Sequence, residues 1–193
     1  MQRYDVLIVG GGPAGSSCAW RLVQAGVKCL VLDKAPFPRN KPCAGWITPE
    51  VVREIDLENS GYPYGFSTFP RLHIRVRGFP IVHPSTQHAI RRVEFDDWML
   101  KRSGAPFEHH RVKVIDAADG GYIVDGEFFG KSIVGAGGTH CPVYHALFKP
   151  RSPRADSNRI VAREEEFAYA WEDDRCQLWF LENNLPGYSW YVP

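Results

Sequence analysis

The run Val6-Leu7-Ile8-Val9 leads straight into Gly10-Gly11-Gly12-Pro13-Ala14-Gly15, and few other stretches restrict a fold so tightly. An apolar, β-branched segment of strand length meets a Gly-x-Gly-x-x-Gly turn at Gly10, Gly12 and Gly15, and a helix-like segment then runs to Gly26. Gly10 permits the tight turn off the strand. Gly12 lets the backbone approach a pyrophosphate with no Cβ in the way, and Gly15 lets the helix pack closely on the sheet. Phosphate charge would sit at the positive end of that helix, whose first turn holds Pro13 and Ala14. Val27 to Leu32 reads as a second strand ending in Asp33, followed by Lys34. An acid about 20 residues beyond the glycines is the acceptor a ribose diol needs. The order strand, glycine turn, helix, strand, acid is the opening of a dinucleotide-binding domain. A P-loop is excluded, because Ser16 stands where that motif needs lysine. The plainer alternative is a βαβ turn with Asp33 as a solvated strand end.

At 193 residues the chain can hold one large domain, or a domain plus part of another. Its 23 basic and 22 acidic residues leave a net charge of +1, so bulk charge selects no nucleic acid partner. The five cysteines are odd in number and lack C-x-x-C spacing, which argues against a disulfide framework and against zinc, and fits a reducing compartment. Cys141 with His140 and His145 lacks a clear fourth ligand, so no metal is expected. No basic region precedes a long apolar core, and no apolar run approaches the ~20 residues that span a bilayer. A soluble, cytoplasmic protein is the expectation, with peripheral membrane contact open.

After Asp33, three prolines in Lys34 to Trp46 exclude regular structure and leave a shaped loop carrying Lys34, Arg39, Lys41 and Cys43. Thr48-Pro49-Glu50 predicts a helix start, with an end near Glu58. Asn59 to Pro70 reads as a loop. Arg71 to Arg77 alternates strictly, with Leu72, Ile74 and Val76 on one face, and Phe79 to His83 can pair with it through Gly78. Phe95, Trp98, Met99 and Arg102 lie at helical spacing, in a helix expected to pack on the first sheet. Phe107–Ile115 and Gly121–Phe129 read as strands around the turn Ala118-Asp119-Gly120, and Ser132-Ile133-Val134 as a strand running into Gly135-Ala136-Gly137-Gly138. Lys149 to Asn158 is the expected linker. Arg159–Trp171, Cys176–Leu181 and Tyr188–Val192 read as strands of a second, aromatic-rich sheet.

The separate pieces resemble a family. Gly10 to Gly15 with Asp33, Lys41-Pro42-Cys43-Ala44-Gly45, Arg92-x-x-Phe95-Asp96, Gly135-Ala136-Gly137-Gly138 and Tyr188-x-Trp190-x-x-Pro193 occur in the order seen in geranylgeranyl reductase-type flavoproteins, within the p-hydroxybenzoate hydroxylase-like group. The resemblance covers essentially the whole chain. It implies that Gly10, Gly12, Pro13, Ala14, Gly15, Asp33 and Lys34 hold the ADP part of FAD, and that Lys41, Ala44, Gly45, Arg92, Ala136 and Gly137 contact the cofactor. Cys43 is implied to lie beside the flavin, as a candidate proton donor or as a small filler of the loop. Tyr188 and Trp190 are implied to line an isoprenoid pocket, or else belong to the sheet core. Ala44 stands where the family often has glycine, Gly137 replaces an acid, and Val192 replaces a pocket phenylalanine. The family's later Gly-Asp motif would lie beyond Pro193, so the chain is expected to be the N-terminal part of an enzyme.

The expected architecture is α/β: a Rossmann-like FAD-binding domain with a parallel sheet, over residues 1–70 and 88–150, plus part of a mainly antiparallel substrate domain, over 71–87 and 151–193. By resemblance, flavin reduced by an external donor, NADPH or reduced ferredoxin, passes hydride to the C=C bond of a lipid-like isoprenoid. Two alternatives remain: a flavin monooxygenase of an aromatic or polyketide ring, and a non-catalytic FAD-binding fragment.

Overall fold

The computed structural model describes residues 1–155, 161–168, 175–185 and 187–193. In chain order the elements are β1 (Gln2–Val9), α1 (Pro13–Gln24), β2 (Cys29–Asp33), β3 (Trp46–Ile47), α2 (Pro49–Glu54), β4 (Ser67–Val76) and β5 (Phe79–Ala89), then α3 (Arg92–Arg102), β6 (Phe107–His109), β7 (Ile115–Ala118), β8 (Gly121–Val124), β9 (Phe128–Gly135), β10 (Cys176–Phe180) and β11 (Tyr188–Tyr191). They form two compact units, Met1–Arg39 with Phe95–Val161, and Asn40–Glu94 with Ala162–Pro193.

In the first unit the strand order is β6-β2-β1-β9-β8-β7. β1 is flanked by β2 (Val6↔Cys29 to Val9↔Leu32) and β9 (Gln2↔Phe128 to Val9↔Gly135), both parallel, and β6 extends the parallel set beyond β2. Parallel strands covered on both faces need continuous apolar runs, which is why Val6–Val9 and Cys29–Leu32 do not alternate. Leu7, Leu30, Leu32, Val124 and Phe128 pack on one face. Ile8, Cys29 and Val31 pack on the other, against Ala19 of α1 and Leu100 of α3, the helix expected on this sheet. Each fully buried aliphatic side chain here contributes about 1.5–3 kcal/mol relative to exposure.

Two expected strands of this unit are broken. Phe107–Ile115 leaves the ladder after His109, where β2 ends and His110 N–H makes the last bond to it, to the Asp33 carbonyl at 2.8 Å; further on, Val114 N–H donates to Asp125 Oδ1 at 2.7 Å and Lys113 N–H at 3.1 Å. His110 Nε2 lies 2.7 Å from Asp125 Oδ2. Gly121–Phe129 is interrupted at Asp125-Gly126, whose φ values of 48° and 71° make the tight turn joining β8 to β9. Ser132 to Val134 is the later part of β9. The expected linker from Lys149 is tied down over its described residues, since Tyr144 Oη donates to the Ser152 carbonyl and accepts from Arg154 N–H.

The second unit has the sheet order β11-β10-β4-β5-β3, antiparallel except for the β4–β10 pair. β4 starts at Ser67, inside the stretch read as loop, and turns into β5 through Arg77-Gly78, with φ values of 49° and 83°. Phe69, Ala89 and Cys176 form its core with Trp46, Leu72 and Val192. Residues 40–70 and 88–94 cluster with this unit rather than with the first, since β3 pairs with the end of β5 (Trp46↔Ala89). Thr48 caps α2 through its hydroxyl, and the helix ends at Glu54, before Glu58, where Asp56 turns left-handed at φ 49°. β10 and β11 match the expected strands; of Arg159–Trp171, residues 161–168 carry no regular structure and the rest lie outside the described residues. Among the described residues no helix is long and apolar enough to cross a membrane.

Candidate dinucleotide-binding site

β1 delivers the chain to Gly10, which turns at φ 116°. A Cβ there would lie 2.4 Å from the carbonyl of Ala136 and 2.7 Å from Gly137 N; at Gly15 it would lie 1.8 Å from the Gly10 carbonyl oxygen. Both positions need glycine because backbone fills the space. Gly12 is different: apart from Arg39 Nη2 at 3.2 Å, nothing lies within 4 Å of its Cβ position. It is also the N-cap of α1, with no side-chain cap and Pro13 behind it, so the positive end of the helix faces an open approach. A cradle that a Cβ would narrow, at a helix N-terminus, fits a diphosphate.

The turn is held from two sides. Ser16, fully buried where a P-loop would carry lysine, donates from Oγ to the Gly11 carbonyl at 2.9 Å. Asp33 accepts from Gly11 N–H through Oδ2 at 2.7 Å and from Ala35 N–H through Oδ1 at 2.9 Å. Carboxylate oxygens each take more than one hydrogen bond, so a ribose hydroxyl can add to these. Lys34 is exposed, and its carbonyl accepts from His109 Nε2 at 3.0 Å. Ala136 N–H donates to the Val9 carbonyl at 2.8 Å and brings Gly137 beside Gly10. Gly10, Gly12, Pro13, Ala14, Gly15, Asp33, Ala136 and Gly137 thus gather at the carboxyl ends of parallel strands, where open α/β sheets bind ligands.

The remaining candidates belong to the second unit. Lys41 is exposed, and Cys43 and Ala44 are half-buried. Gly45 is buried at φ 71°; a Cβ would lie 2.0 Å from the Ile90 carbonyl oxygen, and Ile90 N–H donates to the Gly45 carbonyl at 3.1 Å. The Cys43–Gly45 loop therefore runs beside the strand end that precedes Arg92. On β11, Tyr188 stacks on Phe180 with centroids 5.2 Å apart, and Trp190 lies 5.7 Å from Tyr188, so these rings form one aromatic row.

Sequence reasoning missed an ion pair in the first unit. Arg39 Nη2 is 3.2 Å from Asp96 Oδ2, with the aspartate side chain fully buried and that of Arg39 17% exposed. The signal was available in Arg92-x-x-Phe95-Asp96: an acid on the core side of a helix needs a cation.

The glycine turn, the acid after β2 and the parallel sheet define a Rossmann-like dinucleotide-binding protein. The NAD(P)-binding Rossmann-like domain family matches residues 8–79. Geranylgeranyl diphosphate reductase of Rhodobacter capsulatus is 33% identical over 99% of this chain and 52% of its own length. Menaquinone reductase of Mycobacterium tuberculosis is 30% identical over 98% of this chain and 52% of its own. A solved variant of Pseudomonas aeruginosa PqsL shares the fold with a TM-score of 0.75 at 16% identity, over 100% of this chain and 58% of that one. The chain is similar to the geranylgeranyl reductase-type group of flavin-dependent oxidoreductases, and it spans about half the length of the curated relatives it matches.

Proposed function

We propose that this chain is the cofactor-binding half of an FAD-dependent reductase that saturates a C=C bond in an isoprenoid or isoprenoid-bearing lipid. The open approach to Gly12 at the start of α1, with Asp33 fixed beside it, carries the reading. In it, Gly10, Gly12 and Gly15 seat the diphosphate, Asp33 takes the ribose, and Ala136 and Gly137 wall the same cleft. By the family resemblance, Lys41, Cys43, Ala44 and Gly45 are assigned to the flavin side, Arg92 to contact with FAD, and Tyr188 and Trp190 to apolar substrate. FAD, when bound, supplies hydride transfer; the protein's part is to orient it and exclude water. The names of the relatives support an isoprenoid-bearing substrate. The reading includes NADPH or reduced ferredoxin as donor, a cytoplasmic location and contact with membrane lipid at the surface.

The test is the visible spectrum of the purified chain after FAD is added and the sample desalted. Retained flavin absorbance supports FAD binding, and a folded but colourless chain counts against it. In the full-length protein, anaerobic oxidation of reduced flavin by a geranylgeranyl lipid supports the reductase, whereas oxygen uptake stimulated by an aromatic would replace it with a monooxygenase.

A further inference from the structure

An arginine lies over the one glycine of the turn that faces open space, and a buried carboxylate holds it there. Arg39 Nη2 is 3.2 Å from the Cβ position of Gly12, and the same nitrogen is 3.2 Å from Asp96 Oδ2. The guanidinium carbon stands 4.9 Å from the centroid of the Phe37 ring, which packs edge-on against Phe107. Asp96 is fully buried on α3, Phe37 belongs to the core beneath α1, and both are therefore fixed points. A guanidinium held by a carboxylate on one edge and a ring on one face keeps further N–H donors in a set plane. The guanidinium, through Nη2, lies beside Gly12 at the N-terminus of α1, where the helix offers only partial positive charge and no side-chain cap.

We infer that Arg39 is the full positive charge of the diphosphate subsite and that Asp96 is the positioning residue that presents it. The inference rests on the dinucleotide reading above but concerns this chain's own residues. A purely structural alternative, in which Arg39 only neutralises Asp96, makes a different forecast, because it ties Arg39 to fold stability and not to the phosphates of a ligand.

The experiment titrates the chain with ADP, adenosine and FAD, comparing wild type with Arg39→Ala, Arg39→Lys and Asp96→Asn, and records thermal melting of each without ligand. A charge-assisted hydrogen bond predicts that Arg39→Ala weakens ADP and FAD about ten- to a hundredfold while adenosine binding is unchanged. Arg39→Lys should recover part of the loss, since it keeps the charge but not the planar fork. Asp96→Asn should weaken ADP less than Arg39→Ala does. Equal ADP binding by wild type and Arg39→Ala, or equal loss for ADP and adenosine, overturns the inference. Wild type that binds ADP but not FAD overturns the flavin reading alone, with Arg39 decided on ADP; wild type that gains nothing from the diphosphate of ADP overturns the role of Arg39.

Discussion

The Asp33 carboxylate and the Gly11 amide, far apart in sequence, are joined by a 2.7 Å hydrogen bond that locks the end of β2 to the glycine turn. Asp33 therefore supports the fold even before it meets a ligand. Asp33→Ala leaves the Gly11 N–H without this acceptor and should cost about 1–3 kcal/mol in urea denaturation. Asp33→Asn keeps an acceptor oxygen and should retain most of that stability. Equal melting of wild type and Asp33→Ala would remove the structural role.

The glycines of the turn should separate by assay. Gly15→Ala drives a methyl into the Gly10 carbonyl and should prevent folding or cost several kcal/mol. Gly12→Ala presses only on the Arg39 guanidinium, which Asp96 holds 3.2 Å from the new methyl, so it should fold with a modest loss in melting temperature, far smaller than for Gly15→Ala, and lose dinucleotide affinity. Circular dichroism with ligand titration distinguishes the two; loss of folding in Gly12→Ala would contradict it.

Acid should release the clamp at Asp125. Burial pushes this carboxyl up, but the hydrogen bonds from His110, Val114 N–H and Lys113 N–H outweigh it and hold the carboxyl below the usual carboxylate range. With a folded value below the unfolded value of about 3.9, its stabilisation is complete above that pH and is lost as pH falls through the folded value. Asp125→Ala should be less stable by about 2 kcal/mol near neutral pH, and the gap should narrow as pH falls below the unfolded value of about 3.9. Denaturation curves of both proteins over this range check it.

Thiol labelling should find one fast cysteine. Cys29, Cys141 and Cys176 are buried. Burial pushes the Cys18 and Cys29 thiols up, and that of Cys176 up to about 11. Half-buried Cys43 should therefore react first with iodoacetamide near pH ~8, as read by peptide mass mapping. Fast labelling of Cys176 would mean that the Phe69–Ala89 core opens in solution.

These contrasts follow how far each signal travels along the chain. β1, the glycine turn, α1, β2 and Asp33 were legible because their signals are local: an apolar run, glycine spacing and an acid at a strand end. The alternation of Arg71–Arg77 likewise gave β4, although its start at Ser67 was hidden by the aromatic, glycine-rich stretch before it. The break at Asp125-Gly126 was a missed local signal, since Asp-Gly between apolar runs marks a hairpin. The end of β6 was not local, because it is set by where its partner β2 stops at Asp33, and the backbone of Lys113 and Val114 further on is taken by the Asp125 side chain from beyond the next hairpin. Arg39 and Asp96 needed the fold to bring a proline-rich loop to a helix. The split at Arg39 depends likewise on Trp46 finding Ala89.

The place of β1 between β2 and β9 also bears on biosynthesis. Once Asp33 has emerged, β1 and β2 can pair, but the other edge of β1 stays bare until β9 is made, about a hundred residues later. At roughly 5–20 residues per second, that edge is exposed for about 5–20 s on the ribosome. Through that interval Gly10 has no Ala136 against it, and an apolar strand edge is open to other chains. Closure of the glycine turn is thus a late event in the life of the nascent polypeptide, and slow translation between Asp33 and Gly135 lengthens the time in which it can aggregate.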